Sequence, residues 1–125
     1  MEDNQTPCCV TVPKLIFPCS GASDVGEITD RAARKLTRDG IGRMYCLAGI
    51  GGRVGNIMES TKAASKILVI DGCQSDCARN TLLQAGFKEF EHLRLNDMGM
   101  EKGKSPVSDE KIEIVLKEGG KILGY

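Results

Sequence analysis

The chain contains no tryptophan, aromatics make up 4% of its 125 residues, and histidine occurs once, at position 92. Any core must therefore be aliphatic. A surplus of either charge is also missing, since 17 lysines and arginines balance 17 acids. Nucleic-acid domains carry a basic stripe or excess, so no nucleic-acid partner is expected. No stretch approaches the roughly 18 consecutive apolar residues of a membrane span, and no membrane partner is expected either. The start, Met1-Glu2-Asp3-Asn4, is acidic rather than cationic, unlike a signal peptide. These absences predict a cytoplasmic protein in which thiols stay reduced. The length predicts one domain able to bury roughly two thirds of its unfolded surface.

What is present is sulfur: six cysteines, at positions 8, 9, 19, 46, 73 and 77. Three disulfides would suit a short secreted chain without a core, which this composition does not describe. The cysteines have to be placed on the fold before they can be read.

Residues 1–12 are polar and aperiodic and are expected to form a flexible leader. Residues 13–125 are expected to form a single α/β domain. Lys14-Leu15-Ile16-Phe17-Pro18 reads as a first strand ending in Cys19-Ser20-Gly21. Asp24 and Glu27 then stand as in a capping box. A helix follows, with Val25, Ile28, Ala32 and Leu36 on one face and Gly40 as its stop. Residues 43–48 read as a second strand, followed by the glycine-rich Gly49-Ile50-Gly51-Gly52. The next helix carries Val54, Ile57 and Met58. Lys66–Asp71 is an apolar third strand, buried on both faces. A third helix is expected over 75–85, a fourth and more polar strand over 87–95, and a last helix capped by Ser108. Alternating strands and helices imply parallel pairing and right-handed crossovers. The expected architecture is three-layer α/β/α with a four-stranded, mainly parallel sheet in flavodoxin-like order 2-1-3-4.

Cys19, Cys46 and Cys73 each fall at or near a strand end, and Cys77 follows Cys73 by four residues. Open α/β sheets bind ligands beyond the strand C-termini, where the strand order reverses. Adjacent strands lie ~4.8 Å apart, and sulfurs around a tetrahedral zinc sit ~3.8 Å apart. Cys19 on the central strand can therefore reach either neighbour, while Cys46 and Cys73 must lean over it. With Cys73 at the start of the third helix, it and Cys77 share one face of the first turn. Helix N-termini favour thiolate over thiol, and Arg79 or Arg53 would offset a cluster's negative charge if they reached it. Cys46 also suits a small core residue in an apolar strand. His92 falls in the edge-strand run, away from this edge, and reads as filler rather than ligand. Asp71 is expected to hold the turn through Gly72 or to support the site from behind.

Two glycine loops invite other readings. Gly49-Ile50-Gly51-Gly52-Arg53-Val54-Gly55 departs from the dinucleotide fingerprint by one residue and follows the second strand, not the first. Cys19-Ser20-Gly21-Ala22-Ser23 leads into a helix like an anion cradle. It resembles the phosphocysteine loop of sugar phosphotransferase IIB domains, but lacks the arginine that closes the loop of low-molecular-weight tyrosine phosphatases.

Taken together, Pro18-Cys19-Ser20-Gly21-Ala22-Ser23, Met44 to Gly52, and Asp71-Gly72-Cys73 with Cys77 resemble the DGC domain family of small prokaryotic proteins predicted to bind zinc. The resemblance spans about residues 14–118. It implies that Cys19, Cys46, Cys73 and Cys77 are the family's four characteristic cysteines, and it implies no defined reaction. Cys8 and Cys9 lie outside it.

The sequence thus predicts a metal ion as partner, zinc on a four-thiolate site, with an unidentified protein partner as a further possibility. Two alternatives remain open: an iron–sulfur cluster, or a cysteine-dependent enzyme with Cys19 as nucleophile in phosphocysteine or thiol–disulfide chemistry.

Overall fold

The computed structural model describes residues 13–124. The expected leader, with Cys8 and Cys9, lies outside the described residues. The strands are β1 (Lys14–Pro18), β2 (Arg43–Met44), β3 (Lys66–Asp71) and β4 (Glu91–Arg94). The helices are α1 (Asp24–Arg38), α2 (Leu47–Gly51), α3 (Gly55–Lys62), α4 (Cys77–Gln84) and α5 (Asp109–Ile122). The sheet order is β2-β1-β3-β4, and each neighbouring pair is parallel, as the alternation predicts. No helix among the described residues is long and apolar enough to cross a membrane.

Side chains alternate across a strand, and here that alternation makes two cores. Ile16, Leu68 and Ile70 face α1 and α5, among Ile28, Ala32, Leu36, Val115 and Leu116. Leu15, Phe17, Ile67 and Val69 face the other way, onto Ile50 of α2 and Ala78 and Leu82 of α4. Burying both faces of β1 and β3 explains their unbroken apolar runs. It also fixes which strand ends stand together at the C-terminal edge.

Local chemistry moves several boundaries. The first helix is capped by Ser23, whose hydroxyl accepts from the Gly26 amide at 3.1 Å. Asp24 is therefore not the cap. Its carboxylate accepts from Val25 at 2.7 Å and from the distant Gly103 and Ser105 amides, both at 2.9 Å. The second strand is only two residues long, because after the Tyr45 amide donates to Ile16 at 2.8 Å the chain turns into α2. The glycine-rich loop is largely that helix. The fourth strand keeps only the four residues that pair with Leu68–Asp71, and a 3-10 turn at Leu95–Met98 follows.

One glycine fixes the entry to α1. A Cβ on Gly26 would fall against the Gly21 backbone, in the loop that carries Cys19. Backbone cannot yield as a flexible side chain can, so overpacking of this kind costs about 1–3 kcal/mol. Gly26→Ala is expected to lower the urea unfolding midpoint accordingly. An unchanged midpoint would mean that the loop does not pack against α1 in this way.

Candidate functional site

The parallel register sets Pro18 opposite Ile70. The Cys19 amide extends the ladder by donating to the Ile70 carbonyl at 2.9 Å. Cys19 is thereby pinned beside the strand that runs into Asp71-Gly72-Cys73. The middle glycine of that triplet has a steric reason. A Cβ on Gly72 would lie 2.7 Å from the Val25 side chain, so glycine lets α1 close onto the turn.

Cys19, Cys73 and Cys77 line one cavity of about 540 Å³. Cys46 lines a neighbouring cavity of about 480 Å³, and Cys19 borders both. All four predicted cysteines therefore stand at the C-terminal edge, divided three and one, with Cys19 between. They are free thiols. Among the described residues no three of these sulfurs lie within 4.8 Å of one another; the group that meets this spacing is Asp71, Asp76 and His92.

Two details differ from the sequence reading. Cys46 is not a buried strand residue. It is exposed and caps α2, its sulfur accepting from the Gly49 amide at 3.3 Å. Cys73 is not on the helix either: Cys77 opens α4, and Cys73 sits in the turn before it. The two thiols therefore enter their cavity from a turn and a helix terminus, not from one helical face.

The residues beside the cysteines are held in unusual conformations. Ser20, after Cys19, and Asp76, before Cys77, both have φ of +53°, a left-handed region costly for a residue with a side chain. Ser20 is restrained by its amide donating to the Thr29 hydroxyl at 3.2 Å and its own hydroxyl to Asp30 at 2.8 Å. The Cys19 sulfur also lies 3.5 Å from that Thr29 hydroxyl. Asp76 is gripped by Arg94 through both carboxylate oxygens, at 2.8 and 2.6 Å.

The Arg94 pair belongs to a polar clamp that the sequence did not reveal. Asp71, 1% exposed, accepts from the Ala78 and Arg79 amides at 2.8 and 3.0 Å. It thus caps α4 from the strand, satisfying orphan donors that Asp76 does not reach. His92 places Nε2 at 2.9 Å from Asp71 and 3.7 Å from Asp76. It is therefore not remote from the cysteine edge. Its register opposite Val69, with Arg94 opposite Asp71, turns both polar side chains onto the α4 face. The Asp71, Asp76 and His92 atoms are close enough to suit a metal ion. Their oxygens, however, already accept from two amides, a guanidinium and the imidazole, which is how a structural clamp is satisfied.

The electrostatics favour one thiol. The Ser75 amide and then its hydroxyl hold the Cys73 thiol below its ordinary value; partial burial opposes them, and the Lys102 charge adds to them. Neither predicted arginine lines the cavity, and among the described residues the one cation that does is Lys102. Arg53 instead donates to the Ile50, Gly51 and Gln84 carbonyls, tying the C-terminal ends of α2 and α4 together. Part of the anion cradle is engaged: the Ser20 amide donates to Thr29, and the amides of Val25, Gly26 and Glu27 at the start of α1 donate to Asp24 and Ser23.

The Arg94 guanidinium holds the Asp76 carboxyl below its ordinary 3.8, with burial opposing. A carboxyl whose folded pKa is depressed contributes stability that is complete above its unfolded pKa and is lost as pH falls through the folded value. Asp76→Asn keeps a side chain that tolerates the left-handed conformation. It is expected to lower the urea midpoint near neutrality, with the gap to wild type closing as pH falls below about 3.8. A gap that persists in acid would remove the charge from the explanation.

The DGC domain matches residues 15–118, a span that contains all four edge cysteines, Asp71, Asp76, His92 and Arg94. The chain is also similar to the anaerobic and virulence modulator AnvM of Pseudomonas aeruginosa, 32% identical over 88 residues that cover 70% of this chain and 67% of the relative. No solved structure matches it significantly. The chain belongs to the DGC domain family.

Proposed function

We propose that this chain is a zinc-binding protein of the cytoplasm. In this reading Cys19, Cys73 and Cys77 hold the ion from one cavity, and Cys46 completes the set from the cavity next to it. The observation that carries the reading is the shared cavity of three thiols drawn from two strand ends and a helix start. The donor set fits a soft or borderline ion better than magnesium or calcium, which take oxygen. Closing four thiolates on one ion requires the Cys46 and Cys73 turns to lean over β1. Two features serve such a site: a Cys73 thiol held below its ordinary value and a clamp that fixes α4 from behind.

A zinc ion held by four thiolates has no open position, which suits structural, storage or sensing roles more than catalysis. The relative is named a modulator rather than by a reaction. By that likeness we propose a sensing or regulatory role here, exerted through a protein partner. A second reading, thiol chemistry, is favoured by the state of Cys73, which makes it a candidate nucleophile beside Cys19.

Full-length protein purified without oxygen is expected to carry about one zinc per chain, released together with four protected thiols on chelation. Serine at position 19, 73 or 77 should weaken zinc binding by more than the roughly 10–100-fold that loss of an outer-shell partner costs. Serine at 46 should have the smallest effect of the four. Metal-free protein with four freely reactive thiols would overturn the proposal and favour thiol chemistry. Brown protein containing iron would replace zinc with a cluster.

A further inference from the structure

The cavity of Cys19, Cys73 and Cys77 has a lid residue that comes from far along the chain. The turn Glu101–Lys104 is closed by the Lys104 amide on the Glu101 carbonyl at 3.0 Å, and the Ser105 hydroxyl donates to the same carbonyl at 2.8 Å. This turn is hooked onto the start of α1, where Asp24 accepts from the Gly103 and Ser105 amides, both at 2.9 Å. Those amides, Gly103 first, hold the Asp24 carboxyl below its ordinary value against some burial. The tether leaves Lys102 at the tip of the turn, lining the thiol cavity.

The charges around the cavity are unequal in their compensation. Asp71 is met by two amides and His92, Asp76 by Arg94, and Asp24 by three amides. Lys104 pairs with Glu101 at 3.8 Å. Lys102 makes no hydrogen bond or ion pair among the described residues. An uncompensated cation at the mouth of a cleft raises the local concentration of anions. The Cys19 and Ser20 amides are already engaged, by Ile70 and Thr29, and Lys102 is the charged donor that the cavity adds.

We infer that Lys102, held in place by Asp24, selects anionic molecules for the thiol cavity, so that what reaches Cys73 carries a carboxylate or other oxyanion near its thiol-reactive or metal-binding atom. The inference deepens the proposed function and rests on it only for the use of these thiols. Lys102 is a specificity residue; Asp24 is a positioning residue acting through it.

The test compares two alkylating probes of like size on full-length protein freed of metal and chelator: anionic iodoacetate and neutral iodoacetamide. In each case the thiolate sulfur forms a bond to the probe's methylene carbon and iodide leaves. Both reactions need the same thiolate, so their rate ratio at Cys73, read by peptide mass spectrometry, cancels its ionisation and reports local charge. At low salt, Lys102→Ala is expected to lower the iodoacetate to iodoacetamide ratio about threefold or more. Lys102→Glu should lower it further, Lys102→Arg should preserve it, and Asp24→Asn should fall between wild type and Lys102→Ala. High salt should shrink all these differences. A ratio unchanged in Lys102→Ala and Lys102→Glu, or lost equally in Lys102→Arg, would overturn the inference. The readout needs no metal. Zinc-free wild type with a Lys102-dependent ratio would therefore sink the metal reading alone, and zinc-loaded wild type with an unchanged ratio would sink this inference alone.

Discussion

Everything at the C-terminal edge depends on the register between β1 and β3. Setting Pro18 opposite Ile70, and continuing the ladder through the Cys19 amide, decides that the first cysteine loop stands beside the Asp71-Gly72-Cys73 turn. A slip of one residue would exchange the two faces of a strand, sending Phe17 or Val69 into the α1 layer and Ile16 or Ile70 away from it. With both faces fully buried, such a slip is strongly penalised. The thiol cavity is thus held by the same packing that holds the fold.

Around that register the chain works in two layers. Small residues close the distance: Gly26 against Gly21, and Gly72 against Val25. Polar side chains then hold the conformations that closeness imposes. Ser20 and Asp76 sit at positive φ next to Cys19 and Cys77, each restrained by side-chain hydrogen bonds from the neighbouring helix or strand. Conformations of this kind cost of order 1–3 kcal/mol and persist where surrounding structure determines them. Two of the three non-glycine residues at positive φ among the described residues stand next to Cys19 and Cys77; the third is Arg53. The Asp71, His92, Asp76 and Arg94 clamp is read most simply as what keeps Cys73 and Cys77 in place.

Much of this was legible in the sequence where one local rule acted alone. Apolar runs bounded by turns gave four strands, alternation gave parallel order, and the strand ends named the four cysteines and their common edge. The apolar run around Cys46 reads equally as strand or short helix, and the role of Cys46 as a helix cap depends on where pairing with β1 stops. For a similar reason the sequence alone reads His92 as filler and does not single out Arg94. Their importance comes from the register of an edge strand, which single-sequence periodicity does not set. Lys102 carried no local signal at all. It reaches the site through hydrogen bonds that Asp24 accepts from amides 79 and 81 positions away, a relation only the folded chain contains.

Two clusters at one edge offer different donors: sulfur in the cavity, and oxygen with nitrogen in the clamp behind it. X-ray absorption at the zinc edge of the loaded, full-length protein distinguishes them directly. The account predicts a first shell dominated by sulfur at about 2.3 Å. A first shell of nitrogen and oxygen at about 2.0–2.2 Å, unaltered when Cys73 and Cys77 become serine, would place the ion on Asp71, Asp76 and His92 and contradict it.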